Sequence, residues 1–418
     1  MVEKKRRTRK TENNALPLEG IKVLDFSWAI TGPAITRGLA DYGATVVKIE
    51  SLKAPDVSRL STPFLDRKPG VNRSAFFANY ARNKLSATLN LSLPRGVELA
   101  KKLAAWSDVV VESFTPGNMK KWGLDYESLV KIKPDIIMLS TCSQGQTGPG
   151  ARLPGYGFQL VALTGYAYIT GWPDRIPAQP YGAYTDFIGP PYGVLSIVSA
   201  LDYRHRTGKG QYLDLSQLEA SLQPLGAVLL DYDINGRVME RQGNRDKSFV
   251  PHGAYPCQGE DRWVALAVTN DKEWKGLCRA LGNPAWAGET RFTTFLERKK
   301  NEEELDILIS RWTKGLSAEE AMAVLQKNGV PAGVVNNPHD LREDHQLNSR
   351  GHYWEFDHPV LGKHYCDAPA SIFSKTSARP RRPFPSLGEH NDLVYKEFLG
   401  LSDEEISELV IEGVIEIT

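Results

Sequence analysis

Cysteine, methionine and histidine are scarce in this 418-residue sequence, with four, five and eight copies. Cys142, Cys257, Cys278 and Cys366 lie far apart and never as C-x-x-C. A disulfide framework and a thiolate zinc site of ordinary spacing are thereby excluded, and reduced thiols in a cytoplasmic setting are expected. Neither sign of charge is in excess: 51 basic against 50 acidic residues leave a net +1. That balance supplies no field for nucleic acid or an acidic surface. No apolar run reaches membrane length, and no signal-like apolar segment follows the start, so no membrane partner is expected. The one basic cluster, Lys4-Lys5-Arg6-Arg7 with Arg9 and Lys10, sits in polar sequence and reads as a disordered tail over residues 1–16. Two nucleotide signatures are also missing. The first βα turn, Phe26 to Pro33, lacks G-x-G-x-x-G, and no P-loop lysine pattern occurs.

What is present is an alternation of short β-rich runs with amphipathic helices. Strands are expected at 21–26, 45–50, 85–91, 108–112, 136–141 and 211–215, with helices from Pro33 to about Gly43, over 94–106 and from Pro190. Parallel strands joined by helices define an α/β fold with a Rossmann-like, mostly parallel sheet. The sequence then turns loop-rich, and short strands and helices predict a smaller α+β domain. The expected division is a large domain over 17–224, a small domain over 225–330, and a linker with a C-terminal return to the large domain over 331–418. Ser317-x-x-Glu320 and Ser402-x-x-Glu405 are helix-capping boxes.

Asp186 is the only charged residue between Ile176 and Leu201. A carboxylate in apolar sequence loses hydration, at a cost of several kcal/mol unless local donors replace the water. Downstream, Gly189-Pro190-Pro191 opens an apolar helical pattern at Val194, Ile197, Val198 and Leu201, so Asp186 is expected just ahead of a helix N-terminus that favours an anion. A capping or loop aspartate held by backbone amides fits these residues as well as a reactive one does. Other candidates have simpler readings. Cys142 has no base in view and reads as a structural thiol. His339, His345, His352 and His358 alternate with aspartates at no metal-binding spacing, so no metal is expected. Lys84 and Lys120-Lys121 stand where anions could be met, or simply face water.

Several stretches together resemble the class III coenzyme A transferases of the CaiB/BaiF type, a family that includes formyl-CoA transferase and the α-methylacyl-CoA racemases. They are Leu18-Glu19-Gly20-Ile21-Lys22-Val23-Leu24-Asp25-Phe26, Gly32-Pro33 with Leu39-Ala40-Asp41-Tyr42-Gly43-Ala44, Val47-Lys48-Ile49-Glu50 and Asn83-Lys84. Further on come Val111 to Gly117, Gly145-Gln146-Thr147-Gly148-Pro149, Arg206-Thr207-Gly208-Lys209-Gly210-Gln211 and Leu387-Gly388-Glu389-His390. The resemblance spans about residues 17–415. It implies an enzyme with no tightly bound cofactor and with acyl-CoA as substrate. It also implies an interlocked ring-like homodimer, or a hetero-oligomer with a related chain.

On this resemblance Asp186 is the nucleophile, forming an aspartyl anhydride and then an aspartyl-CoA thioester. Ala29, Ile30 and Thr31 match the turn against the pantetheine arm, and Lys84, Phe114 and Lys121 match positions near the nucleotide end. Gly243 and Asn244 form the candidate oxyanion loop. Lys121 replaces an arginine found in a relative. The formyl- and oxalate-handling member has Gln where Ile30 stands and a run of glycines in the small-domain loop. Both features are missing here, and Trp28, Tyr166, Tyr168 and Trp172 are added. A larger acid follows, such as an aryl- or alkyl-substituted succinate, with succinyl-CoA as a donor. The alternatives within the family are a racemase or one subunit of a hetero-oligomeric transferase. Racemases carry Gly-His-Asp where this chain has Gly155-Tyr156-Gly157.

Overall fold

The computed structural model describes residues 15–153 and 155–417; the basic-tail reading for residues 1–16 falls almost wholly outside them. Six strands form the main sheet: β1 (Lys22–Asp25), β2 (Thr45–Glu50), β3 (Leu85–Thr88), β4 (Val109–Glu112), β5 (Ile137–Cys142) and β6 (Gln211–Ser216). Their order is 3-2-1-4-5-6, with every pair parallel. In such a sheet the crevice for a ligand opens where the strand order reverses, between β1 and β4.

A parallel sheet must be covered on both faces, and the strand sequences supply two apolar sets. Leu24, Val47, Leu85, Val110 and Met138 face one core, under a helix at Pro94–Trp106 and the C-terminal segment. Val23, Val46, Val109, Val111, Ile137 and Leu139 face the other, with Ile35 and Ile197 from two further helices. Numbered along the chain, the first ten helices are α1 (Thr31–Asp41), α2 (Ala75–Ala81), α3 (Pro94–Trp106), α4 (Asn118–Lys121), α5 (Tyr126–Ile132), α6 (Gly157–Leu163), α7 (Tyr166–Ile169), α8 (Thr185–Thr207), α9 (Gln217–Leu222) and α10 (Gly226–Asn235). The edge at β3 is covered by the C-terminal Leu387-to-His390 motif: Gly388 N donates to Ser86 Oγ and His390 N to Ser86 O. Edge strands left bare invite pairing with other chains.

The chain divides into two compact units. One holds the segments up to Tyr166, Pro180–Arg237 and from Ser349; the other holds Ala167–Gln179 and Val238–Asn348. The smaller unit therefore starts and ends later than the 225–330 expected, and takes in an insertion from the middle of the chain. It has its own core around Val264, Leu277, Phe292, Leu305, Ile309 and Leu325. An antiparallel three-stranded sheet supports it: β7 (His252–Pro256), β8 (Trp263–Ala267) and β9 (Ala332–Val334). Both capping boxes form, at Ser317 and at Ser402. A hairpin of β10 (Tyr353–His358) and β11 (Gly362–Asp367) belongs to the larger unit. Among the described residues no helix is long and apolar enough to cross a membrane.

One expectation needs correction. The helix expected from Pro190 begins at Thr185, so Asp186 lies within its first turn and both prolines lie inside it. Pro190 and Pro191 fall in its second turn, where each withholds an amide donor from the carbonyl four residues back. Further along α8, Gly193 lets the helix approach α1. A Cβ there would lie 2.3 Å from Ile35 Cδ1 and 2.7 Å from Cγ1, and Ile35 is fully buried. Gly193→Leu is therefore expected to destabilise the larger unit by about 1–3 kcal/mol through overpacking. A lowered urea midpoint with unchanged m-value is the reading; an unchanged midpoint contradicts the close contact.

Candidate active site

The turn after β1 is held by four side chains, three of them buried. Asp25 accepts from the amide and the hydroxyl of Ser27. Lys48 Nζ donates to Ser27 O at 2.6 Å. Ser113, following β4, accepts from Trp28 N at 2.8 Å and donates to Trp28 O at 3.3 Å. Asp56 Oδ1 accepts from Ala29 N at 3.0 Å. Ala29 has φ 64°, a left-handed conformation that costs an L-residue about 1–2 kcal/mol. The turn then enters α1 at Ile30 and Thr31.

Beneath it lie two ion pairs with no solvent exposure, Asp25–Lys84 at 3.0 Å and Lys48–Asp56 at 2.8 Å. Burial pushes the Asp25 carboxyl up, but Lys84 and Lys48 more than reverse this and hold it below its usual range. The expectation for Lys84 is corrected here. Its three donors go to Asp25, Pro33 O and Thr36 Oγ1, leaving none for a phosphate. Burial pushes this ammonium down to about 8, against the pull of Asp25. Its neighbour Asn83 is structural too, donating to Asp41 and accepting from the amides of Arg381 and Arg382.

The turns after β1 and β4 flank a cavity of about 350 Å³ lined by Phe26, Trp28, Ile49, Leu91, Phe114 and Trp122, with Lys53 at its edge. Phe114 packs edge-on to Trp28 and Trp122 at centroid distances of 5.6 and 5.5 Å. Its amide donates to Glu112 Oε2 at 2.7 Å, and burial pushes the Glu112 carboxyl up to about 7. Lys121 is exposed, bonded to Asn118, and does not line this cavity.

Asp186 stands beside the first residue of α1. Pro190 has no N–H for the carbonyl of Asp186 four residues back, and Thr31 Oγ1 donates to that carbonyl instead, at 3.2 Å. The sequence feature that ends one backbone hydrogen bond thus joins the β1 turn to Asp186. The carboxylate packs against Gly157. A Cβ on Gly157 would fall 2.6 Å from Asp186 Oδ1 and 2.5 Å from Ala183 Cβ, so only glycine leaves the room. Among the described residues no donor or cation contacts this carboxylate, and burial alone pushes it up to about 7. The anion expected from a helix end is therefore corrected: near neutral pH the group is poised between its two forms.

Gly243 and Asn244 lie in the smaller unit and are described with it. Gly243 has φ 61° and packs on the Trp172 ring, and its amide donates to Gly171 O at 2.8 Å. Asn244, Trp172, Arg245, His252, Glu303 and Asp306 share a cavity of about 490 Å³ in that unit. Signals for Trp28, Ser113 and Asp56 as parts of a site were weak in sequence. Lys48, a cation between Val47 and Ile49 in an apolar strand, was the visible clue.

The profile of CoA-transferase family III matches residues 18–391. The chain belongs to that family and is a CoA-transferase. It is 34% identical over 402 residues to the succinyl-CoA:glutarate CoA-transferase of Mus musculus, covering 96% of this chain and 90% of the relative. It is 31% identical over 399 residues to the succinyl-CoA–D-citramalate CoA-transferase of Chloroflexus aurantiacus, covering 96% and 98%. Among solved structures, a CAIB/BAIF family protein from Brucella suis superposes with a TM-score of 0.85 at 32% identity, over 92% of this chain and all of that one.

The raised carboxyl of Asp186 makes a signed prediction. Between about pH 4 and pH 7 the native state binds more protons here than the unfolded chain, so stability falls as pH rises across that window. Asp186→Asn cannot ionise. Its gain in Tm over the parent is expected to be larger at pH 8 than at pH 5, by roughly a few degrees. An equal gain at both values contradicts the buried, unpartnered carboxylate.

Proposed function

We propose that this chain transfers coenzyme A from succinyl-CoA to a second dicarboxylic acid of at least succinate size, substituted succinates included, with Asp186 as nucleophile. The observation that carries this is the unpartnered Asp186 carboxylate beside a glycine that keeps its front clear. Relatives named for glutarate, D-citramalate and L-malate support the acceptor class.

In the first step a carboxylate oxygen of Asp186 attacks the thioester carbonyl carbon. The C–S bond breaks and CoA leaves as the thiolate, giving a mixed anhydride. The thiolate then attacks the aspartyl carbonyl, forming an aspartyl-CoA thioester and releasing the donor as its carboxylate. The acceptor carboxylate attacks that thioester, and the same two steps run in reverse. Only the ionised Asp186 can begin the cycle, so kcat/KM for acyl-CoA should rise with pH through about 7. Racemisation needs a second acid/base opposite Asp186; Gly157 offers no such side chain.

In this reading Ala29, Ile30 and Thr31 contact the pantetheine arm. The cavity behind Trp28 and Phe114 takes the nucleotide end, with Lys53 as its cation and Lys121 further out. Within the Gly243–Asn244 turn the candidate oxyanion donor is the Asn244 amide, because that of Gly243 is already engaged. We further infer a dimer. No residue of α10 is buried, although it carries Leu229, Leu230, Tyr232 and Ile234 at 49–76% exposure. A bare apolar helix of this kind marks a protein contact. Relatives named as alpha and beta subunits show that the second chain can differ from the first in other members.

Intact-protein mass spectrometry after mixing with succinyl-CoA tests the chemistry. A covalent CoA adduct is expected on the parent and not on Asp186→Asn. An adduct that survives in the variant overturns the assignment. Glutarate, malate and phenylsuccinate should discharge the adduct faster than oxalate does. For the dimer, Leu230→Asp with Ile234→Asp should shift the mass measured by light scattering toward the monomer. An unchanged mass places the contact elsewhere.

A further inference from the structure

We infer that Asp56 is a positioning residue for acyl-CoA, acting through the left-handed Ala29, an inference that rests on assigning the Ala29–Thr31 turn to the CoA arm. Asp56 lies outside every strand and helix of the sheet core, in the loop after β2, yet it has no solvent exposure. Its carboxylate is clamped before it reaches the turn. Oδ1 accepts from Ser58 N at 2.9 Å and Ser58 Oγ at 2.7 Å, and Oδ2 pairs with Lys48. The following Arg59 is fixed by two 2.8 Å bonds to Glu50 and lies 3.7 Å from the Phe77 ring centroid.

The remaining bond of Oδ1, to the Ala29 amide, is therefore made from a rigid base. Lys48 works on the same turn two residues earlier, at Ser27 O. One buried ion pair thus grips the turn at two backbone points, with opposite charges matched to a carbonyl and an amide. An amide in the left-handed region needs such an acceptor, because an alanine freed of it relaxes toward negative φ and takes Ile30 and Thr31 with it. Thr31 carries the displacement on to the backbone of Asp186.

Removing one charge would leave the other buried and unpaired, so the test is made in a Lys48→Met background. There Asp56→Asn keeps an acceptor for Ala29, and Asp56→Leu removes it at similar volume. The readouts are steady-state kinetics with succinyl-CoA, calorimetric binding of CoA itself, and amide hydrogen exchange of the peptide spanning 27–31. Relative to the doubly neutral Lys48→Met/Asp56→Asn protein, Lys48→Met/Asp56→Leu is expected to show faster exchange, weaker CoA binding and a KM raised about tenfold, with kcat changed far less. If both variants behave alike, Asp56 has only the structural role of an ion-pair partner and the inference falls. Faster exchange with unchanged CoA affinity overturns instead the assignment of the turn to CoA. Should Leu fail to fold, exchange in Asp56→Ala replaces it, and slow exchange of Ala29 there refutes the inference equally.

Discussion

Two buried ion pairs, Asp25–Lys84 and Lys48–Asp56, are the constraint on which the β1 turn depends. Ions without solvent exposure are costly, and each pair here makes further hydrogen bonds. Those further bonds go to the backbone of Ser27, Ala29 and Pro33 and to the hydroxyl of Thr36 in α1. The charges thus act as fixed mounts. They convert the stability of β1, β2, the residue before β3 and a loop into the conformation of a few residues at the β1–β4 switch point.

From that turn the order spreads in two directions. Ser113 and the Trp28–Phe114–Trp122 packing tie it to the turn after β4 and to the aromatic cavity between them. Thr31 ties it to Asp186, using a carbonyl that Pro190 has left without its helical donor. A thioester arm bound on the turn would then be in register with the carboxylate through backbone rather than through flexible side chains. Positioning of that sort is among the larger sources of rate enhancement open to an enzyme.

Much of the sheet was legible. Thr45–Glu50 and Pro94–Trp106 fall where apolar periodicity and a first-turn proline place them, and the capping boxes at Ser317 and Ser402 form. Asp186 stood out because a lone charge in apolar sequence is rare. Its electrostatic state differs from the expectation for a local reason: the helix starts ahead of the two prolines and already includes Asp186, and among the described residues no helix-end donor reaches the carboxylate. Lys84 illustrates the opposite limit. A lysine before a strand looks like a surface cation, and only the fold reveals Asp25, Pro33 and Thr36 around it. Asp56 and Ser113 gave only weak signals, Ser113 as one residue of the Val111-to-Gly117 stretch, since their partners are 27 and 85 residues away in sequence.

The central claim is that Asp186 itself carries the acyl group and CoA in turn. Heavy-oxygen tracing addresses it without relying on a variant. When the acceptor acid is labelled in its carboxylate oxygens, the bridging oxygen of the second anhydride comes from the acceptor and stays on Asp186 when the thiolate cleaves the bond. After one turnover the peptide containing Asp186 is expected to gain one heavy oxygen. Turnover that leaves this peptide unlabelled would contradict the account.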